Sequence, residues 1–391
     1  MLREALPANR FLSARVGDSP QLRDAGDYAR LPFTAKSDLV ADQQAHGPFG
    51  RNLTYPVERY TNFHQTSGTT GRPLRVLDTT ESWDWWGRCW VEVLRASGVR
   101  PNDRVFFAFS FAPFIGFWSA YHGVAMLGAM AISGGGMDSR RRLGLLAETG
   151  STILLCTPTY ALHLAEVARK EGVSTTDSSI RLTIHAGEPG GSVPEVRRRI
   201  SEAWGARVFD HAGASEIGAF GVPDSEGRGV VLNEAEFIAE VIEPASGEAL
   251  EREGEGELVL TNLGRIGWPV VRYRTGDIVR ARRLEDGRLL LEGGVLGRVD
   301  EMITVRGVNV YPAALENIIR GRSASGELRI TARRDGEMDE ISIELEADAA
   351  TCRAVAEEIH DLIGLRASVE QAADGSLPRF ELKSRRFRDL R

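Results

Sequence analysis

Runs of β-branched and aromatic residues alternate with helix-period segments through the first three hundred residues. RVFFAF precedes an apolar helical stretch, STILLCTP precedes YALHLAEVARKEG, and IRLTIHAG precedes VPEVRRRISEAWG. ARVFDHAG, AEFIAEVIE and GELVLTNL follow as further strands. Short apolar strands joined by helices predict an α/β domain with buried sheets flanked by helices. From Val105 to Met137 there is no Asp, Glu, Lys or Arg, a length that could cross a bilayer. Pro113, His122 and the run Gly134-Gly135-Gly136 interrupt it. It therefore parses as a strand, a turn at Ala112-Pro113, an apolar helix and a short strand. Glycine density rises at Gly293-Gly294-Val295-Leu296-Gly297, and beyond Asp300 the pattern changes. MITVRGVNV, PAALENIIRG, ELRITARR, EISIELEA and the helix around CRAVAEEIHDLIG predict a compact α+β unit. The division expected is residues 1–297 and 298–391, with little pattern in the first 30 residues.

The 391 residues allow two or three domains and a large core. A net charge of −7 and the lack of a Lys/Arg-rich block leave no basic face for nucleic acid. The cysteines, Cys89, Cys156 and Cys352, lie far apart with no CxxC pair. That usage fits thiols in a reducing compartment. MLREALPANRF lacks the basic-then-apolar pattern of a secretion signal. The expectation is a cytoplasmic protein with neither membrane nor nucleic-acid partners.

Five clusters could carry chemistry. Thr66-Ser67-Gly68-Thr69-Thr70-Gly71 sets glycines among hydroxyl side chains, which suits a loop closing around a polyphosphate. It is not a Walker A loop, because Gly71 is followed by Arg72-Pro73. His185-Ala186-Gly187-Glu188-Pro189-Gly190-Gly191 and Phe209-Asp210-His211-Ala212-Gly213-Ala214-Ser215-Glu216 each follow a predicted strand, where sheet-top loops form sites. Glu216 could hold a Mg²⁺ that bridges phosphates. Asp277, after a Thr-Gly turn, could accept hydrogen bonds from vicinal ribose hydroxyls. The fifth cluster is the terminal LPRFELKSRR. Taken singly, these also fit a surface turn, a helix cap, a strand cap and a solvated basic tail.

Their order and spacing decide between the readings. LPFTAKSDL, TSGTTGRP, HAGEP, DHAGASE, VVRYRTGD, GRVDEMITVRGVNVYP and LPRFELK run over residues 31 to 391. In this the chain resembles the adenylate-forming superfamily of acyl- and aryl-CoA synthetases, luciferases and peptide-synthetase adenylation domains. Within that superfamily it is most similar to phenylacetate-CoA ligases and related aryl-acid-activating enzymes. The resemblance implies a large N-terminal adenylate-forming domain and a small mobile C-terminal domain.

It further implies that Ser67, Gly68, Thr69, Thr70 and Gly71 bind phosphate, and that Gly187, Glu188, Pro189, Asp210 and His211 bracket adenine, with Ser215 also on the nucleotide. Glu216 would ligate Mg²⁺, Asp277 would hold the ribose with help from Arg298, Asp300 would be the hinge, and Lys383 would be the catalytic lysine. Arg306, Gly307 and Asn309 would line the thiol-acceptor face. Three residues depart from the family pattern: Arg72 replaces a lysine, Ala212 an aromatic that stacks on adenine, and Leu382 a glycine before the lysine.

The expected reaction joins an aromatic carboxylic acid to AMP, releases pyrophosphate, and passes the acyl group to coenzyme A. A carrier-protein thiol or an amine remains an alternative acceptor, and an inactive nucleotide sensor is the alternative of another class. ATP, Mg²⁺ and coenzyme A are the implied cofactors, and a homodimer is the assembly allowed for. Phe111, Phe114, His185, Ala186, Gly213 and Ala214 are the acyl-pocket candidates, whereas Phe117 and Trp118 read as core.

Overall fold

The computed structural model describes residues 1–66, 73–111, 113–250, 253–299, 303–305, 308–323, 326–335, 338–378 and 386–391. The N-terminal arm holds four helices, α1 (Leu2–Ala5), α2 (Arg10–Val16), α3 (Ala25–Ala29) and α4 (Lys36–Ala45). A hairpin follows, β1 (Tyr60–Gln65) antiparallel to β2 (Arg75–Thr79). Next comes the long helix α5 (Thr80–Ser97), capped by the Thr79 side chain and ended by left-handed Gly98.

The predicted alternation then appears as a parallel sheet. Its strands are β3 (Arg104–Phe107), β4 (Met130–Ser133), β5 (Ile153–Cys156), β6 (Leu182–His185) and β7 (Arg207–Asp210), in the order β4-β3-β5-β6-β7. The crossovers are α6 (Ile115–Leu127), α7 (Ser139–Glu148), α8 (Pro158–Lys170) and α9 (Pro194–Trp204). The charge-free stretch supplies β3, α6 and β4, and among the described residues no helix is long and apolar enough to cross a membrane.

From β8 onward the chain leaves the predicted α/β alternation. β8 (Ala212–Ala214), β9 (Gly218–Pro223), β10 (Gly229–Leu232), β11 (Phe237–Ile242), β12 (Gly254–Asn262), β13 (Tyr273–Arg283) and β14 (Leu289–Arg298) form one antiparallel sheet, ordered β11-β12-β13-β14-β10-β9-β8. The cause lies in the connections. Five residues separate β13 from β14, enough for a hairpin but too few for a crossover helix.

A single buried cluster unites both sheets with α5, around Trp85, Trp86, Trp90, Phe106 and Trp268. A separate core, beginning at Ile303, belongs to the C-terminal unit. There the hairpin of β15 (Ile303–Val305) and β16 (Val308–Val310) precedes α10 (Pro312–Arg322), β17 (Leu328–Asp335), β18 (Met338–Leu345), α11 (Ala349–Ile363), β19 (Ser368–Gln371) and β20 (Phe387–Asp389). Its sheet runs β19-β18-β17-β20.

Candidate active site

The hairpin presents the hydroxyl-rich loop from a closed neck. Thr66 N donates to Leu74 O at 3.0 Å, and Leu74 N donates to Thr66 Oγ1 at 3.0 Å. Ser67, Gly68, Thr69, Thr70, Gly71 and Arg72 lie outside the described residues. Behind the neck, β2 carries Asp78, wholly buried and bonded to the equally buried Arg265. Arg265 Nε and Nη2 donate to the two Asp78 oxygens at 2.7 Å each, and Nη1 donates to Ser215 O at 2.8 Å. This one guanidinium therefore ties the hairpin to the loop that carries Glu216.

Glu216 is buried, with Lys36 Nζ 3.0 Å from its Oε1. The Tyr273 phenol also hydrogen-bonds it, and burial beside that carboxylate holds the phenol well above its usual range. Lys36 arrives by backbone register. Thr34 N donates to Arg272 O at 2.9 Å and Arg274 N to Thr34 O at 2.8 Å, so the arm lies along the start of β13. Further along that strand, Arg298 Nη1 donates to Asp277 Oδ1 at 2.8 Å. Gly276, at φ +74°, permits this approach, since a Cβ there would lie 2.8 Å from Arg298 Nη2.

At the ends of β6 and β7 the carboxylates are enclosed. Glu188 accepts from Thr159 N at 2.9 Å and from Thr159 Oγ1 at 2.5 Å, and burial raises its pKa. Asp210 accepts from Ser192 Oγ at 2.5 Å, and burial pushes its carboxyl up to about 6. A Cβ on Gly191 would lie 2.5 Å from Asp210 Oδ1, so glycine is what lets this loop close over the carboxylate.

The two histidines are internal. His185 Nδ1 lies 3.1 Å from Cys156 O and its Nε2 lies 2.8 Å from Thr183 Oγ1. His211 Nδ1 donates to Gly221 O at 2.7 Å, and its ring packs on Trp90 at 4.2 Å. Burial pushes both down to about 4, so both rings are neutral at pH 7. Ala186 and Ala212 are buried, Ala214 and Ser215 are half-buried, and Gly213 is exposed.

A cleft of about 540 Å³ opens beside β3 and β4, lined by Ser110, Phe111, Trp118, Tyr121, Ser133 and Gly135 together with Gly136. Trp118, read from sequence as core, is 41% exposed, and its Nε1 donates to Phe111 O at 3.2 Å. Phe117 stacks on Phe109, with its ring edge facing Gly187. Phe114 caps the start of α6.

In the C-terminal unit α10 packs on α9 and β14. Arg386 is buried, paired with Glu316 at 2.8 Å and with Glu327. Its charge and that of Glu316 reach Glu188. Asp300, Arg306, Gly307, Leu382 and Lys383 lie outside the described residues, as does the side chain of Asn309. Sequence reasoning missed Lys36, Asp78 and Arg386. LPFTAKSDL and the terminal segment match the family, yet no spacing links them to their partners.

Two family models match the chain: the AMP-binding enzyme over residues 55–264 and the AMP-binding enzyme C-terminal domain over 307–391. The chain belongs to the AMP-binding, adenylate-forming enzymes. Among curated relatives, phenylacetate-coenzyme A ligase of Pseudomonas putida is 31% identical, over 99% of this chain and 90% of the relative. That of Thermus thermophilus is 32% identical, over 91% and 80%. Among solved structures, a 2-hydroxyisobutyryl-CoA ligase in its postadenylation state superposes with TM-score 0.91 at 31% identity, covering 99% of this chain and 87% of that one. The same ligase with coenzyme A, in the thioesterification state, gives 0.72 at 32% identity, covering 99% and 86%. This adenylate-forming enzyme thus superposes more closely on the postadenylation structure of that ligase than on its thioesterification structure.

The β1–β2 hairpin, Glu216, Asp277, Glu188 and Asp210 come from different elements, and the Asp78–Arg265–Ser215 link sets the hairpin relative to the loop of Glu216. Glu216 is one buried carboxylate that already holds a cation, and among the described residues no group of three metal-ligating side chains exists. One carboxylate suits Mg²⁺, which takes most of its ligands from phosphates and water.

Proposed function

We propose that the chain activates an aromatic carboxylic acid with ATP and transfers the acyl group to coenzyme A. As a member of its family it is an AMP-forming acid–CoA ligase. The finer reading, an aromatic acid, is carried by the cleft of Phe111, Trp118 and Tyr121. Phe111 meets Trp118 edge-on at 4.8 Å and Tyr121 at 6.0 Å, which leaves aromatic walls for a flat ring.

Attack of a carboxylate on the α-phosphorus brings two anions together, so this chain's task is charge neutralisation and alignment. Asp277, oriented by Arg298, holds the ribose. The Gly187–Pro189 turn and Asp210 border the base, and Ser67 to Gly71 hold the phosphates. Lys383 brings a positive charge to the carboxylate and the α-phosphate. Glu216 would hold Mg²⁺, which would supply further positive charge at the phosphate oxygens. In the second half-reaction the small domain turns about Asp300. Lys383 then leaves, and Arg306, Gly307 and Asn309 face the incoming thiol.

The test is acid-dependent ATP–pyrophosphate exchange with benzoic, phenylacetic, hydroxybenzoic, aminobenzoic and 2-hydroxyisobutyric acids, followed by thioester formation with coenzyme A. An aromatic acid with the highest kcat/KM supports the reading. Preference for the aliphatic hydroxy acid refutes it.

A further inference from the structure

Of the 48 basic residues in the chain only three are lysines: Lys36, Lys170 and Lys383. Lys170 is an exposed partner of Glu166 on α8. Lys36 points into the site, so at this position the chain departs from its otherwise almost uniform use of arginine. The two cations differ in kind. An ammonium is a compact point charge on a flexible stem, whereas a guanidinium is a rigid planar fork whose donors point in fixed directions.

The surroundings of Lys36 match a charge that must move. Its backbone is fixed, because Thr34 is hydrogen-bonded on both sides to β13 and Asp38 caps Ala35 N at 2.8 Å. Its head is not enclosed: the side chain is 36% exposed, while Glu216, 3.0 Å away, is 9% exposed. The stem can therefore swing its ammonium off Glu216 without disturbing the arm.

We propose that Lys36 occupies Glu216 as a counter-cation in the nucleotide-free enzyme and moves to the polyphosphate, as a binding residue, when Mg²⁺·ATP enters. The proposal rests on the reading of Glu216 as the metal-holding carboxylate. Its consequence is a pair of opposed effects. Without Lys36 the Glu216 carboxylate keeps its hydrogen bond from Tyr273 but loses the cation paired with it, so a divalent cation alone binds tighter, whereas the nucleotide loses a phosphate contact and binds more weakly.

The experiment titrates Mn²⁺ alone into nucleotide-free protein by electron paramagnetic resonance, and ATP at saturating Mg²⁺ by calorimetry. Lys36→Met should tighten Mn²⁺ by about tenfold or more and weaken ATP by about tenfold, in line with a unit charge at contact distance in a partly screened site. Lys36→Arg should leave Mn²⁺ binding as in the wild type, since the pair with Glu216 survives. If Lys36→Met fails to fold, Lys36→Gln, which keeps a donor to Glu216 without the charge, decides by the same criterion. Mn²⁺ and ATP affinities that are both unchanged, or that fall together, overturn the proposal. Glu216→Gln separates the two failures. If it leaves wild-type Mn²⁺ binding intact, the metal reading of Glu216 falls as well. If it abolishes Mn²⁺ binding while Lys36→Met matches the wild type, only the role of Lys36 falls.

Discussion

Breaking the Asp78–Arg265 pair should damage stability and adenylation together. Both side chains are fully buried, with two bonds of 2.7 Å between them, a third of 2.8 Å to Ser215 O, and the guanidinium 5.2 Å from the Trp86 ring centroid. Removing one partner leaves an uncompensated charge in the core, which costs about 3–5 kcal/mol. For a chain of this size that corresponds to a fall of roughly 5–10 °C in Tm. Asp78→Leu and Arg265→Leu should each show this loss by calorimetry. The double variant buries no charge and should recover most of it, because isosteric apolar replacement of a buried pair is often neutral. Activity should not recover in parallel. With the tie to Ser215 gone, Glu216 and the β1–β2 hairpin lose their common anchor, and misplacement by about 1 Å costs on the order of 10²-fold in exchange rate. Single losses below about 1 kcal/mol, or strict additivity in the double variant, would refute the coupling.

Three further outcomes follow from the same geometry. Lys383→Ala should cut acid-dependent pyrophosphate exchange by about 10²–10³-fold or more while sparing thioester formation from a supplied acyl-adenylate; equal loss in both half-reactions would make the lysine structural. Asp277→Ala should raise the ATP KM with little change in kcat, because ribose is held alike in ground and transition states; unchanged nucleotide affinity by calorimetry would remove Asp277 from the site. Stability should fall on acidification from pH 6.5 towards 4, because burial pushes His64, His185 and His211 down to about 4 and they must stay neutral in the fold. Asp210, raised to about 6, works against this between about pH 4 and 6, so Asp210→Asn should steepen the acid loss by about 1.4 kcal/mol per pH unit in denaturant titrations.

What the sequence discloses divides along physical lines. The β6 and β7 loops are legible because short apolar runs end in glycine-rich segments, and such runs make buried parallel strands whose ends carry sites. The antiparallel sheet from β8 to β14 is not, since apolar alternation reveals a strand but not its partner. His185 shows the same limit at one side chain: β6 is buried on both faces, so period-two alternation gives no hint of which way the ring points. Trp118 shows the reverse, an aromatic on an apolar helix that lines a cleft instead of the core. The long-range ion pairs, Lys36 with Glu216 and Asp78 with Arg265, carry no local pattern at all.

The terminal lysine illustrates how a legible motif acquires its mechanical meaning only from such pairs. On its N-terminal side Leu377 N donates to Glu346 Oε1 at 2.8 Å, and on its C-terminal side Arg386 is buried against Glu316 and Glu327. All of these partners belong to the C-terminal unit, so the segment carrying Lys383 is tied to that unit at both ends. On the role proposed for Lys383, the charge for adenylation would be delivered by the orientation of that whole unit. Arg386 and Glu316 also lie within electrostatic reach of Glu188 on the large domain, in an arrangement that superposes on a postadenylation structure. A reaction that must first bring a cation to the phosphate and then admit a thiol to the same carbonyl is served by moving both groups on one body.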